Sequence, residues 1–470
     1  MMSKTLYQPL LFALLFIVLG IIIIFQLVFQ YSYGLSYLLL GWLLAVGLWP
    51  MVQEVRYGKF NIYNAKNLFI IYYLVQLGFY TVYIFLTGTT IIPWLSPSFK
   101  ENALLYESAL ALSVLGLSSF LFSYNLGFGK SLTRRLPSFA DWQRGRPIIL
   151  VYGIVALGYM STAYLFAMSG GISAFLVNLD LWRTTGLLGH GYLIYPATTL
   201  LQMAASIYLI DNSRRLHRRT FRFKVLLLIT LCCLPSLFMG FRHALFFPIL
   251  QYSCIWHFLY KPINFGKILI AALVLFVVFT FLGGNRSLEP SNISLELSDY
   301  RTLRQVALRS PGTEMVIAVV QKESPFGDFT YLWRSFWEAG TILIPRKLFP
   351  GKNDPVMWEF GDKFLWEYLD WRDSGHVGTT GGFSPTPVGF FYWNLGIIGV
   401  ILGCSLLGII ARFAYAYVSE NAMDKSRMFL YISALTFIVI AAESPQDGFN
   451  GFAINMVFSF AILCALTVKL

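Results

Sequence analysis

Runs of apolar residues, each long enough to cross a lipid bilayer, constrain this chain more than any other feature. A transmembrane helix needs roughly 17–25 predominantly apolar residues, and such runs recur along the whole sequence. Hydrophobic residues make up 57% of the chain and charged residues only 12%, whereas about a quarter of the residues in a soluble protein are charged. The sequence therefore predicts an all-α polytopic integral membrane protein.

We predict about twelve transmembrane helices from these runs. The predicted spans are Leu10–Phe29, Gly34–Val52, Leu68–Leu86, Ala103–Phe122, Ile148–Met168, Tyr192–Ile210, Val225–Met239, Ala244–Tyr260, Ile268–Leu282, Val388–Ala411, Met428–Ala442 and Phe452–Val468. The first run is too long for a signal-peptide core, so we expect an uncleaved span. Residues 1–283 then contain helices one to nine, residues 284–385 form one large helical loop, and residues 386–470 contain helices ten to twelve.

The positions of the basic residues predict the orientation. One set of loops is rich in Lys and Arg, above all the segment DNSRRLHRRTFRFK, whereas the short loops on the other side carry only Lys100, Arg183 and Arg242. The positive-inside rule places both termini in the cytoplasm and the large loop outside. The net charge of +12 is explained by these loops and by anionic lipid headgroups, so nucleic acid is excluded as a partner.

The large loop is the longest segment that is not predicted to span the membrane. Ser310-Pro311 predicts the start of a helix that continues through Met315–Val320. From Gly327 onward the loop is rich in aromatic residues and too apolar for a free linker. We expect it to pack on the membrane face as short amphipathic helices.

Cations at the outer ends of the spans are the first candidates for a binding site. Arg183, Arg242 and Arg286 are all predicted at the same membrane face, and guanidinium groups bind phosphate oxygens in a bidentate manner. The segment Ile344–Lys352 adds three more cations between two prolines. The alternatives are an arginine that snorkels to the headgroups and an ordinary solvated basic turn.

Four short motifs, in this order, resemble the Wzy-type polymerases that join oligosaccharide repeat units of bacterial surface polysaccharides. They are GFRHALFFPIL, FGDFTYL, IPRKLFPGKND and FSPTPVGFFYWNLGIIGV. The last resembles a Thr-Pro run that enters a helix with an Asn-x-Gly-x-x-Gly turn, here Asn394, Gly396 and Gly399. The chain differs from many relatives at Phe390-Phe391, where they have an acidic residue.

The resemblance implies a GT-C-like glycosyltransferase of the bacterial inner membrane, with its active site facing the periplasm. Its substrates would be undecaprenyl-diphosphate-linked glycans, as both donor and acceptor, and it would work beside a flippase and a chain-length regulator. Preorganised cations would stabilise the departing diphosphate. The residues that would bind it are Arg242, Arg286, Arg346 and Lys352, followed by Arg183 and Lys347. Tyr331, Trp333 and Trp337 would stack on sugar rings, or alternatively anchor the loop at the membrane interface.

Transfer to an acceptor hydroxyl usually requires a general base. His376 is the first candidate and Glu338 the second; Glu314, Asp354, Glu443 and Asp447 are further carboxylates in the loop or near the last spans. Neither the acidic residues nor the five cysteines have metal-ligand spacing, so we predict no metal and no cofactor.

Two other functions compete with the polymerase. An O-antigen ligase, or another glycosyltransferase with a polyprenyl phosphate donor, would differ in its acceptor. A transporter of lipid-linked oligosaccharides would catalyse no chemistry. Transporters tend to have broken helices at the bilayer midplane and two similar halves, whereas this sequence has apolar span centres and no evident repeat.

Overall fold

The computed structural model describes most of the helical part of the chain. The described residues are 34–87, 99–133, 139–177, 193–238, 243–263, 312–322, 329–341, 344, 348–349, 351, 385–421 and 423–467. All regular secondary structure within these ranges is helical.

We number the α-helices in chain order. They are α1 (Gly34–Arg56), α2 (Ala65–Tyr73), α3 (Tyr80–Thr87), α4 (Phe99–Asn125), α5 (Phe128–Thr133), α6 (Arg146–Met168), α7 (Ile172–Val177), α8 (Leu201–Asp211), α9 (Arg219–Phe238), α10 (His243–Leu259), α11 (Gly312–Lys322), α12 (Phe329–Thr341), α13 (Thr386–Ser419), α14 (Lys425–Glu443) and α15 (Pro445–Thr467). A π-helical turn at Leu74–Phe79 joins α2 to α3, and another at Pro196–Leu200 precedes α8.

The prediction of an all-helical membrane protein is confirmed. In the described part of the chain, six helices are long and apolar enough to cross a membrane, namely α1, α4, α6, α13, α14 and α15. Ten of the twelve predicted spans fall on helices, and the other two, Leu10–Phe29 and Ile268–Leu282, lie outside the described residues. The total of twelve spans and the periplasmic position of the large loop stay predictions.

Antiparallel packing of α2–α3 against α4 defines the two ends of the bundle. The Tyr124 hydroxyl donates to Asn64 Oδ1 at 2.8 Å at one end, and the Tyr73 hydroxyl donates to the Ser113 carbonyl at 2.7 Å further along. Asn64 also caps α2 by accepting from the Lys66 amide at 3.0 Å. We call this the basic end.

Charged groups at the basic end join distant helices. Lys66 Nζ lies 2.5 Å from Glu54 Oε1, and the Lys66 side chain is only 9% exposed. The Arg412 guanidinium lies 5.2 Å from the centre of the Tyr124 ring. These contacts connect α1, α2, α4 and α13 at one level of the bundle.

Glycines allow the central helices to approach closely. A Cβ atom on Gly408 of α13 would lie 2.3 Å from the Phe120 carbonyl oxygen of α4. A Cβ atom on Gly129 of α5 would lie 2.5 Å from the Ile409 carbonyl oxygen. Small residues at such crossings are typical of membrane helices, where backbone proximity and van der Waals contact stabilise association.

Helix α13 is broken at the predicted Asn-x-Gly-x-x-Gly turn. Leu395 and Gly396 leave helical geometry, and Gly396 has φ 61° and ψ −146°, which residues with a Cβ rarely adopt. The break brings Phe391 back over the second part of the helix, so that its ring lies on Gly403 and its carbonyl oxygen on Gly399. Residues 386–394 therefore form a short helix that is buried along its whole length.

Candidate functional site

Elements from the large loop pack into the end of the bundle opposite the basic end. Helix α11 packs against α4, α13 and the Leu74–Phe79 turn, and α12 packs against α13 and α15. We call this region the loop end; it is where α11, α12 and the first turns of α13 and α15 meet. Several carboxylates were predicted as candidate general bases. Most of those that the structure describes lie at the loop end.

Helix α11 brings a carboxylate into the bundle. Glu314 is fully buried, and the residues from Met315 to Val319 that follow it are also buried. The Tyr80 hydroxyl donates to Glu314 Oε2 at 2.9 Å, and Tyr106 is close enough to interact with Glu314 electrostatically. A carboxylate buried among transmembrane helices is costly and commonly has a function.

The π-helical turn at Leu74–Phe79 explains how α11 fits here. Such turns leave backbone carbonyls without their usual helical partners and often occur at functional sites. The Leu77 carbonyl accepts from the hydroxyls of Thr81 at 2.6 Å and Thr313 at 3.1 Å. A Cβ atom on Gly312 would lie 2.8 Å from the Gln76 carbonyl oxygen, so only glycine allows α11 to begin at this position.

The start of α13 is strained beside the first turn of α11. Thr386 has φ 55°, a left-handed conformation that β-branched residues rarely adopt. Its hydroxyl accepts from the Gly389 amide at 3.3 Å, and its methyl carbon lies close to Gly312. Strain of about 1–3 kcal/mol per residue concentrates at functional sites, so the Thr-Pro motif and Glu314 belong to one candidate region.

Helix α12 contributes a second carboxylate, which is fixed by α15. Asn450 Nδ2 donates to Glu338 Oε1 at 2.7 Å. Gln446 Nε2 lies 3.1 Å from Asn450 Oδ1 and 3.2 Å from the Ser335 carbonyl oxygen, and it donates to both. This network sets the orientation of the Glu338 carboxylate, which is the geometric requirement for a general base.

Two further carboxylates lie where α14 ends and α15 begins, Glu443 in the last turn of α14 and Asp447 in the first turn of α15. Asp447 and Glu443 are both exposed, and Tyr195 is close enough to Asp447 and Glu338 to interact electrostatically with both. The Asp447 side chain has accessible surface, yet the surrounding protein atoms are dense enough to desolvate it. Asp447 is therefore a carboxylate at the protein surface that neighbouring protein atoms crowd on one side.

The predicted site residues fall into two groups. Glu338, Trp333 and Trp337 lie together on α12, which also contains Tyr331. Trp333 is 71% and Trp337 is 46% exposed. The remaining predicted residues lie outside the described residues: Arg183, Arg242, Arg286, Arg346, Lys347, Lys352 and His376.

Sequence reasoning did not identify the polar partners of the two carboxylates. Tyr80 and Thr81 lie in an apolar run, while Gln446 and Asn450 lie in the short segment between the last two predicted spans. The spacing of Gln446 and Asn450, four residues apart on one helix face, was the available signal, since polar residues at a span end need partners. Their partners come from segments more than 100 residues away in the chain.

Comparison with known proteins adds no family assignment. The chain matches no family model, no curated protein and no solved structure. Within the described ranges, no group of three or more His, Cys, Asp or Glu residues could hold a metal ion.

Proposed function

We propose that this protein polymerises undecaprenyl-diphosphate-linked oligosaccharide repeat units into a surface polysaccharide at the periplasmic face of a bacterial inner membrane. The observation that carries the proposal is the insertion of α11 and α12, both from the large loop, into one end of a membrane bundle. They bring Glu314 into contact with Tyr80 of α3, and they bring Glu338 to Asn450 near the point where the spans α14 and α15 meet. A lipid-linked substrate presents its diphosphate and first sugar at this level, where hydrocarbon ends and headgroups begin.

The reaction transfers the growing glycan from its lipid carrier to a new repeat unit. His376 or Glu338 accepts the proton of the hydroxyl at the nonreducing end of the new unit, and the hydroxyl oxygen attacks the anomeric carbon of the growing glycan. The bond between that carbon and the diphosphate oxygen breaks, and undecaprenyl diphosphate leaves with the bonding electrons. Preorganised cations stabilise the charge that develops on it. The cations of the proposal are Arg242, Arg286, Arg346 and Lys352, followed by Arg183 and Lys347.

The described geometry supports a division of tasks between the carboxylates and the cations. The carboxylates Glu338 and Asp447 are at the loop end and are accessible in part, so they suit sugar hydroxyls and proton transfer. A diphosphate needs cations, and the sequence supplies these in the predicted outer loops. The proposal requires no metal and no cofactor; a flippase and a chain-length regulator would supply substrate and control product length.

The test is a gel of lipid-linked glycan after incubation of the purified protein with one defined undecaprenyl-diphosphate repeat unit. We expect a ladder spaced by one repeat, formed without nucleotide sugar or metal. Arg242→Ala abolishes the ladder, and Arg242→Lys restores little of it if bidentate contact to the diphosphate matters. Arg222→Ala, which removes an exposed arginine from the start of α9, serves as the matched control and leaves the ladder unchanged.

Each alternative gives a different product. Transfer of the glycan to a lipid-A-like acceptor, with no ladder, would identify a ligase. Passage of the substrate across a liposome bilayer without any product would identify a transporter. A normal ladder from Arg242→Ala would contradict only the role proposed for Arg242. The proposed polymerase function would not be affected.

A further inference from the structure

Helix α12 has two faces of different character. Trp333, Trp337 and Gly340, at spacings of four and three residues, form an exposed stripe. Ser335 is buried, and Glu338 contacts α15, on the opposite side of the helix. Because residues four and three apart share a helix face, the tryptophans point away from the bundle and away from the Glu338 carboxylate.

The exposed apolar surface continues beyond the end of α12. Ile344 is 41% and Leu348 is 77% exposed. The ring centres of Trp337 and Phe349 lie 6.4 Å apart, which connects this segment to the helix. We call Trp333, Trp337, Ile344 and Leu348 the aromatic patch. An apolar patch of this kind on a segment outside the predicted spans indicates an interaction surface.

The aromatic patch lies at the level where two spans meet. The other face of α12 contacts Gln446 and Asn450 in the first turns of α15, and α14 ends at Glu443, two residues before α15 begins. Where a span ends, the hydrocarbon core gives way to headgroups, and tryptophans are enriched at that depth.

The sequence adds positive charge to the same segment. Arg346 and Lys347 stand between Ile344 and Leu348, Lys352 follows, and Ile344–Lys352 contains no acidic residue. Exposed tryptophans with adjacent cations are the composition of an element that lies in the interfacial plane of a bilayer.

We infer that the aromatic patch docks α12 in the headgroup layer of the bilayer, with Trp333 and Trp337 at the boundary between headgroups and acyl chains. This inference does not depend on the proposed reaction. It assigns the two tryptophans to the lipid and leaves the opposite face of α12, with Glu338, for the bundle.

The test measures where the two tryptophans lie, with the full chain in proteoliposomes. The wild type and the Trp333→Phe/Trp337→Phe double variant differ only in this pair, so their difference isolates the emission of two of the 12 tryptophans. Lipids with a nitroxide near the headgroup end of the acyl chain, lipids with a nitroxide near its middle, and iodide on both sides of the membrane are compared as quenchers. We expect the shallow nitroxide to quench the pair most strongly.

Two results would overturn this position. Dominant quenching by iodide would place the pair in water or in an open glycan site, and quenching by none of the three would mean that protein covers the patch. The control is the emission lost in Trp142→Phe: Trp142 is 9% exposed and donates to Ser426 at the basic end. Its emission should respond weakly to every quencher.

Discussion

The contact between Phe391 and Gly403 makes a specific prediction about the broken helix α13. A Cβ atom on Gly403 would lie 2.3–2.5 Å from three atoms of the Phe391 ring, well inside van der Waals contact. Overpacking of this kind costs about 1–3 kcal/mol, while alanine is favoured over glycine within a helix by about 1 kcal/mol. We expect Gly403→Ala to reduce the free energy of unfolding by up to about 2 kcal/mol, which is the overpacking cost less the helix preference.

In the matched control, the expected change in the free energy of unfolding has the opposite sign. Gly153 lies within α6, and a Cβ atom there would meet nothing within 4 Å. Gly153→Ala should therefore increase the free energy of unfolding by up to about 1 kcal/mol, since only the helix preference remains. The measurement is unfolding in mixed detergent micelles, followed by tryptophan fluorescence. Equal effects of the two substitutions would refute the packing of Phe391 on Gly403.

A double-mutant comparison separates the ring from the backbone. Phe391→Ala removes the ring, at a cost of about 3–5 kcal/mol for the cavity, and Gly403→Ala should then cost nothing further. At Gly399 the added Cβ atom would lie 2.1 Å from the Phe391 carbonyl oxygen, and Phe391→Ala leaves that oxygen in place. Gly399→Ala should thus stay destabilising in both backgrounds. If Phe391→Ala removed the destabilisation caused by alanine at both Gly403 and Gly399, that result would contradict the geometry at the helix break.

Two further predictions concern buried polar contacts. Glu314→Ala and Tyr80→Phe should each cost about 1–3 kcal/mol of unfolding free energy, because each leaves a buried polar partner behind, and their effects should be coupled in a double-mutant cycle; strictly additive costs would contradict the 2.9 Å hydrogen bond. Lys66→Met should cost about 3–5 kcal/mol because it leaves Glu54 without its cation in a largely buried pair. Lys425→Ala, which removes the more exposed pair with Asp211, should cost less than about 1 kcal/mol, and equal costs would contradict the difference in burial.

Much of the helical framework could be predicted because span length is a local property of sequence. A run such as Ile148–Met168 is apolar throughout, and the helix over Arg146–Met168 follows it closely. The Ser310-Pro311 signal likewise preceded α11, which begins at Gly312. The break at Gly396 falls within the motif that predicted a turn. In each case neighbouring residues suffice, since helix starts and breaks depend on local backbone preferences.

The position of α11 could not be predicted in the same way. Its residues from Thr313 to Val319 are buried, although they belong to a segment predicted as an outer loop. An apolar helix of 11 residues is too short to span a bilayer, and hydropathy alone does not say whether it lies on a surface or inside a bundle. Only the glycine contact with Gln76 and the π-helical turn beside it show that the bundle has room for α11.

The sequence by itself determined the class of protein, the location of most helices and the segregation of basic residues. Helices that cross a bilayer must be long and apolar, and basic residues accumulate in the loops on one side of the membrane. The tertiary structure decided which residues meet at the loop end. Glu338 reaches Asn450 across 112 residues, and Glu314 reaches Tyr80 across 234. Such contacts depend on how helices cross and where glycines let them approach, and these distances are not encoded in any local pattern.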